Sequence, residues 1–596
     1  MKFQIEFQPS GMRLGCSEAL TVLDAARQAG IALRADCGGE GVCGKCRVQV
    51  MDDYNDFHHS EAELKHLVEE ERQQGFHLAC ELVVDQDVKI YIPPESISKD
   101  QVMQVEGMHA NLGHDAAVRQ VALTLEPATL HDLQSDFSRI KNIAGQPNLK
   151  IPMQTLYDVP ELLRTNDWRI NLIIRDDLII KATRDPMDQL LGLAVDVGST
   201  KIACYLLNLE NGELLAAQGT PNPQIAYGED IMARLAYAMR GETERKQLHT
   251  GVVSAINQTA ETLCSRMGLS TQQIADLCLV GNTAMHHFFL DLPIGTLAVS
   301  PFTPVISDAI YPAADEFGFV SMPNAGLYVP AVIAGFVGSD HLAFLHSSGF
   351  NKPNGIRLGI DIGTNTEIAL MKDERIVSVS TASGPAFEGA HIRYGMRAGP
   401  GAIEHVKITP DGSIQLDVIG AKAPMGICGS GILDVVAELR TAGWLNKRGR
   451  FSKDVPAVQM DIEGQTYIIL AAGEKEVTLS QKDVDQVLLA KGAIRAGIDV
   501  LMDAMDVGVD DIEEVVIAGA FGSYMLPEQA VRLGMLPPVD LKKIKAVGNA
   551  AGTGARMMLA SQSSRAEADV LAKRIEYLEL TVYPDFPLFY ARGISA

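Results

Sequence analysis

Cysteine is scarce in this chain, with nine in 596 residues, too few to hold a fold together by disulfides. No stretch runs apolar for the 18 or more residues that a membrane helix needs. The opening residues, MKFQIEFQPSG, have neither the basic start nor the apolar run of a secretion signal. Positive charge is also short: 51 Lys and Arg stand against 75 Asp and Glu, a formal net charge of −24. With the basic residues scattered, this balance disfavours nucleic acid as a partner. These absences exclude secreted disulfide scaffolds and membrane spans, and point to a reducing cytoplasm. What is present is ordinary for a globular protein, 47% hydrophobic and 21% charged, in a chain long enough for about four domains.

The few cysteines are not spread evenly. Five lie in the first 80 residues, and three share one loop, DCGGEGVCGKC at 36–46. Gly39, Gly44 and Lys45 mimic a P-loop, but the Ser or Thr that must follow is missing and Cys46 stands there. Through Cys37, Cys43, Cys46 and Cys80 the spacing is C-x5-C-x2-C-x33-C. Plant-type [2Fe–2S] ferredoxins use C-x4-C-x2-C…C, so one residue in a glycine-rich loop separates the two patterns. Structural zinc usually takes C-x2-C twice; here one such pair exists and Cys80 stands apart. Cys37, Cys43, Cys46 and Cys80 are therefore the expected ligands of a [2Fe–2S] cluster. Gly38, Gly39, Gly41 and Gly44 would let backbone N–H groups approach the sulfides. Cys16, Cys204, Cys264, Cys278 and Cys428 read as small buried hydrophobes.

The surroundings of the loop predict a β-grasp, ferredoxin-like domain over 1–94. Phe3, Ile5 and Phe7 alternate with polar residues as a half-buried strand does. Pro9-Ser10-Gly11 signals a turn into MRLGC. TVLDAARQAG reads as a helix with Thr21 at the N-cap, Asp24 at N3 and Gly30 as the stop. RVQVM and DVKIYIP supply further strands. Residues 95–115 are polar and aperiodic, a connector. Residues 116–188 read as a small α+β middle domain: a strand and amphipathic helix, then two strands across Asp176-Asp177. It carries no catalytic constellation, and His109 and His114 read as surface loop residues.

From 189 onward the chain repeats itself. LGLAVDVGSTKIACYL at 191–206 and LGIDIGTNTEIAL at 358–370 each run an apolar strand into Asp-x-Gly-Ser/Thr and out along a second strand. Asp196 corresponds to Asp361, Gly198 to Gly363 and Ser199 to Thr364, all offset equally, which implies an internal duplication facing a cleft. In such a hairpin, glycine lets the backbone meet a phosphate and aspartate holds hydrated Mg2+. Thr200, Lys201 and Asn365 add donors, and Glu367 a third carboxylate. EEVVIAGAFGSYM at 513–525 follows as a strand and turn in which Gly519, Ala520 and Gly522 would lie flat against adenosine. His286 and His287 tempt a metal reading, but neighbouring helix residues diverge by about 100°, so their rings are expected to point apart.

The 191–559 pattern resembles the actin, sugar kinase and Hsp70 ATPase superfamily. With the N-terminal cysteine domain, connector and middle domain, the whole chain resembles the reductive activators of corrinoid proteins. The stretches GNTAMHHFFL, SGPAFEGAHIRYGMRAGPGAIE and GICGSGILDVVAEL resemble that family too. The resemblance implies a multidomain α/β chain whose residues 189–596 form a duplicated actin/Hsp70-like ATPase domain. It implies ATP-dependent transfer of one electron to the Co(II) corrinoid of a partner methyltransferase or methyl carrier, restoring Co(I). An upstream low-potential donor and a homodimer go with it. By position, Cys37, Cys43, Cys46 and Cys80 ligate the cluster, while Asp196, Gly198, Ser199, Asp361, Gly363 and Thr364 hold Mg-ATP. The superfamily's second hairpin more often reads Asp-x-Gly-Gly-Gly-Thr; here it is DIGTNTE, which leaves the hydrolytic residue open. No D-x-H-x-x-G occurs, Asp340 and His341 being adjacent, so the corrinoid is expected on a partner. Two other classes fit the same parts: a small-molecule kinase fused to a ferredoxin, and a redox-sensing ATP-binding protein. Activators of dehydratases, which share a [4Fe–4S] cluster between subunits, lack the N-terminal domain.

Overall fold

The computed structural model describes residues 3–8, 12–29, 31, 33–35, 37, 39–51, 59–93, 96, 115–228, 230–462, 464–473 and 476–595. The Pro9-Ser10-Gly11 turn, Gly30, Gly38, His109, His114 and all of the 95–115 connector except Ser96 and Asp115 lie outside these residues.

The N-terminal unit is a five-stranded mixed sheet. Its strands lie side by side in the order Met12–Cys16, Phe3–Gln8, Val88–Tyr91, Arg47–Val50, Phe76–Leu78. The first pair is antiparallel, while Phe3–Gln8 runs parallel to Val88–Tyr91. Parallel neighbours need a crossover, and the helix Val22–Gln28 lies within it, which makes the β-grasp. Alternation decides the faces: Phe3, Ile5 and Phe7 are buried, each large side chain contributing about 1.5–3 kcal/mol on burial. Thr21 Oγ1 accepts from Asp24 N–H at 3.1 Å and caps the helix as its sequence predicts. Val22, Leu23, Ala25 and Ala26 are its buried face.

A three-stranded antiparallel sheet follows, ordered Leu178–Thr183, Arg169–Arg175, Val118–Thr124. The helix Asp136–Ala144 was predicted; a second helix, Met153–Thr165, was not. Pro160 inside it breaks the expected helical pattern, yet Val159 and Leu163 on either side are fully buried and hold the helix in place.

The rest of the described chain is two lobes of one plan. In the first, Leu191–Val197, Lys201–Asn208 and Leu214–Pro221 form an antiparallel meander, and Ile274–Gly281 then Gly326–Tyr328 add in parallel on its other side. In the second, Ile356–Ile362, Thr366–Lys372 and Arg375–Thr381 repeat the meander, and Glu514–Ala518 then Ile544–Gly548 repeat the parallel additions. A short sixth strand, Ile575–Tyr577, closes the far edge. In each lobe a helix follows the last parallel strand: Ser339–Ser347 in the first, Ala550–Ala560 in the second. These two helices pack on each other at the centre of the molecule. A Cβ on Gly554 would stand 2.2 Å from the Ala343 carbonyl oxygen, so the backbones touch there. Among the described residues no helix is long and apolar enough to cross a membrane.

Candidate functional site: a cysteine cradle and a two-lobed cleft

The cysteine loop closes on itself in two pairs. Cys46 Sγ and Cys80 Sγ lie 3.4 Å apart, and Cys37 and Cys43 are near enough for each to shift the other's ionisation. Cys46 is buried and the other three half-buried. The hydrogen bond with Cys80 holds the Cys46 thiol below its ordinary value, and the same bond pushes Cys80 up. Burial above all pushes Cys43 up to about 12. Gly39, at φ 105°, lets the loop pass Cys80, whose Cβ would lie 3.9 Å from a Cβ at position 39; an L side chain would be strained there. Two thiol pairs facing one glycine-lined loop are the donor set that two tetrahedral irons require, so these residues fit a [2Fe–2S] cluster.

The second site lies between the lobes, in a cleft of about 300 Å³. Each meander delivers its hairpin to the cleft floor: Asp196, Gly198, Ser199, Thr200 and Lys201 from the first lobe, Asp361, Gly363, Thr364, Asn365 and Glu367 from the second. Asp196 pairs across its hairpin with Ala203, and Asp361 with Glu367, so the two aspartates hold corresponding places. Gly519 also lines the cleft, at φ 91°. A Cβ there would meet the Ile362 carbonyl oxygen at 2.4 Å and Asp361 Oδ1 at 3.2 Å. Ala520 opens the short helix Ala520–Tyr524. Gly522, expected against adenosine, faces away from the cleft: a Cβ there would meet Ile517 at 2.6 Å, so close packing on the strand requires this glycine. Phe521 and Tyr524 of the same turn do line the cleft, and Phe521 stacks on Phe387 at 4.6 Å between ring centroids.

Sequence reasoning missed the residues that the two central helices bring in. Asn549 caps Ala550–Ala560 and donates from Nδ2 to Asp196 Oδ2 at 2.8 Å. Asp340 sits in the first turn of Ser339–Ser347, its Oδ1 accepting from the His341 N–H at 2.8 Å. Both helix N-termini point at the cleft, where their partial positive charge favours anions. One signal was available for Asn549: strand-Gly-Asn-small-residue occurs twice, as GNTA at 281–284 and GNAA at 548–551, and Asn282 likewise lines the cleft. Glu388 was also missed; it accepts from Thr364 Oγ1 at 2.5 Å. Cys428, read as a buried hydrophobe, is buried but lines the cleft beside Gly429 and Ser430. His286 and His287 do not diverge as expected. Their Nδ1 atoms are 3.4 Å apart, because side-chain rotamers bend the rings together across the helical spacing. His287 is held by the Thr283 carbonyl and by Val305 N–H, a structural role.

Five carboxyls line the cleft, and four of them, Asp196, Asp340, Asp361 and Glu367, are raised. Burial first lifts Asp196 to about 6, against the pull of Asn549. Burial and then Asp196 lift Asp361 to about 7. Burial, Asp196 and Asp361 lift Asp340 to about 8. Burial, Asp340 and Asp361 raise Glu367 well above the ordinary carboxyl range. Buried anions without a counter-cation are costly, and a hard divalent cation would relieve that cost. Two residues before Asp340, Gly338 lets the chain pass close to the end of the strand Ile274–Gly281: a Cβ on Gly338 would stand 2.3 Å from the Gly281 carbonyl oxygen. Gly338→Ala is therefore expected to cost about 1–3 kcal/mol of stability by overpacking. It should also shift Asp340, so thermal unfolding and ATP turnover should fall together; an unchanged melting temperature would refute the close approach.

Family models match nearly the whole chain: a 2Fe–2S iron–sulfur cluster binding domain at 5–85, the RACo linker region at 109–185, the RACo middle region at 191–353, and the C-terminal domain of RACo, the ASKHA domain, at 355–595. The chain is 31% identical over 590 residues to the corrinoid activation enzyme RamQ of Eubacterium limosum, covering 96% of this chain and 95% of that one. This chain belongs to the RACo family of reductive activators. A solved structure, the reductive activator for corrinoid, iron–sulfur protein, superposes with a TM-score of 0.74 at 30% identity, over 99% of this chain and 98% of that one. The [Co(II) methylated amine-specific corrinoid protein] reductase of Methanosarcina barkeri is 28% identical over 440 residues, 68% of this chain and 76% of its own. In RACo terms the small unit after the connector belongs to the linker region, and the two lobes are the middle region and the ASKHA domain. The N-terminal unit is thus a [2Fe–2S] domain, and the cleft is that of an ATPase fold.

Proposed function

We propose that this protein is an ATP-dependent reductive activator: it delivers one electron to the Co(II) corrinoid of a partner methyltransferase or methyl-carrier protein and so restores Co(I). The observation that carries the reading is that one chain holds both the paired-cysteine cradle and the two-hairpin cleft, in a chain aligned nearly end to end with a corrinoid activation enzyme. Cys37, Cys43, Cys46 and Cys80 would hold the cluster, which when bound supplies single electrons near about −400 mV. Asp196 and Asp361 would hold Mg2+, with Gly198, Ser199, Thr200, Gly363, Thr364 and Asn365 around the phosphates and Gly519 toward the adenosine. Asp340 and Glu367 line the same cleft, and once a bound cation favours their ionised forms they are the groups able to take a proton from an attacking water. For one electron, each 59 mV of unfavourable potential is about a tenfold loss at equilibrium, and ATP provides the drive. It does so only if ATP and ADP states bind the corrinoid partner differently. A low-potential donor refills the protein, which works in the cytoplasm as a homodimer.

The test is spectroscopic. Anaerobically reduced protein is mixed with a Co(II) corrinoid methyl carrier, with and without Mg-ATP. A Co(I) band that grows only with Mg-ATP supports the reading. ATP consumption that depends on a small-molecule acceptor, with no Co(I) from any carrier, refutes it in favour of a kinase.

The cation assignment has a pH signature. Asp196, Asp361 and Asp340 are raised from the ordinary 3.8 to about 6, 7 and 8, so the cation-free folded state binds more protons than the unfolded one. Their contribution to stability is present in full below pH 3.8, is lost progressively as pH rises, and is gone above about 8. Mg2+ binds the ionised forms, so its binding should release protons and its affinity should climb between pH 6 and 8. Calorimetry in buffers of different ionisation heat reads the release; pH-independent Mg2+ affinity would refute the assignment.

A further inference from the structure

The cleft's charges are segregated. Asp196, Asp340, Asp361 and Glu367 form one group; Lys201 and Arg397 also line the cleft, with Glu388 near them. The two cations come from opposite lobes. Lys201 is the first residue of the strand Lys201–Asn208. Arg397 rides on the segment between the strands Arg375–Thr381 and Ala402–Ile408 of the second lobe.

That segment is fixed in place. Gly384 N–H donates to the Thr364 carbonyl at 3.0 Å, and Glu388 accepts from Thr364 Oγ1, so it is tied to the second phosphate hairpin. Met396 N–H donates to the Ile427 carbonyl at 2.9 Å, and Ile427 N–H to the Tyr394 carbonyl at 2.8 Å. The residue before Arg397 is thereby bound to the strand Gly426–Ile427, which leads directly to Gly429 and Ser430 on the cleft wall. Lys201 feels Arg397 through space: its ammonium is lowered first by burial and then by that guanidinium, with Glu388 opposing.

Resting on the nucleotide reading of the cleft, we propose that Arg397 is its terminal-phosphate sensor: its guanidinium and the Lys201 ammonium grip the γ-phosphate from opposite lobes, so the cleft distinguishes ATP from ADP. A phosphate placed between them would favour both cations, adding to what Glu388 already does for Lys201. The phosphates common to both nucleotides are served by the hairpin backbones. The third is the one left to meet the two cations. A planar guanidinium can hold two of its oxygens at once, which a point-charge ammonium cannot. Arg397 thus supplies the differential affinity that a nucleotide-driven partner cycle requires.

The test uses full-length, cluster-loaded protein, titrated calorimetrically with Mg2+ plus a non-hydrolysable ATP analogue or ADP. In Arg397→Gln, affinity for the ATP analogue should fall about tenfold or more, the size of a lost charged hydrogen bond. Affinity for ADP should change less than about threefold and doubles as the control that the cleft is folded. Arg397→Lys should recover part of the loss. Equal losses for both nucleotides, or none, would overturn the sensor role and leave the activator reading standing. Wild-type protein that takes neither nucleotide would overturn both.

Discussion

Cys46→Ser is expected to strip the N-terminal unit of its iron and to drop Co(I) formation to background, with ATP affinity in the cleft unchanged. Cys46 is 1% exposed and sits 3.4 Å from Cys80, so its loss removes one partner of a pair and leaves the half-buried Cys80 without it. A serine hydroxyl is a poor substitute, since thiolates hold the irons of such clusters and a hydroxyl stays protonated where a thiol ionises. The readouts are iron per chain, the visible absorption of the cluster and the Co(I) band. Cys204→Ser is the matched control: Cys204 is fully buried in the sheet of the first lobe, outside the cradle, and its substitution should leave iron content unchanged. Full iron in Cys46→Ser would overturn the ligand assignment. Lost iron together with lost ATP affinity would show the two sites to be one folding unit.

Asp361→Asn is expected to lower ATP-dependent Co(I) formation about 10²–10³-fold, the usual range for removing one electrostatic element from a site that stabilises developing charge. The same change should make the cation-free protein more stable. Asp361 is pushed up to about 7 by burial and by Asp196, so at pH 8 the wild type carries a buried charge that asparagine lacks. The melting temperature without Mg2+ should rise by about 2–4 °C, the shift that roughly 1 kcal/mol gives in a unit of this size. The further rise on adding Mg2+ should shrink. A variant that is more stable and nearly inactive is the signature of a strained binding site. A variant both less stable and inactive would mean that Asp361 is structural.

The β-grasp unit and the two hairpins were legible in the sequence because their signals are local. Phe3, Ile5 and Phe7 alternate, Thr21 caps, and Asp196 and Asp361 stand at the ends of apolar strands beside glycine. Asp340 was not legible, and Asn549 only through the repeated Gly-Asn pattern at 281–284 and 548–551. Each looks like an ordinary first-turn or capping residue, and only the meeting of two helices far apart in sequence aims both at one cleft. Gly522 misled for the opposite reason: its motif is local, but the demand on it is steric, from Ile517. The helix Met153–Thr165 was hidden by Pro160, whose penalty is outweighed by the burial of Val159 and Leu163. The cysteine spacing is one residue longer than the ferredoxin pattern, yet it pointed to the 2Fe–2S domain that the family model matches at 5–85.

The backbone contact between Gly554 and Ala343 has a mechanical consequence. The helices Ser339–Ser347 and Ala550–Ala560 come from the two halves of the chain and touch where no side chain intervenes, and Ala550–Ala560 lies against the first lobe's sheet, with Leu559 beside Gly192 and Tyr205 beside Gly552. Such a contact cannot be compressed, so a motion of one lobe against the other, where it occurs, would have this central pair of helices as its pivot. Displacement then grows with distance from the pivot: small at the hairpins beside it, largest at the rim. Moving so, the molecule would be a lever whose short arm ends at the cleft and whose long arm ends at the outer surfaces, where a small change at the cleft would become a change of shape that another protein could feel.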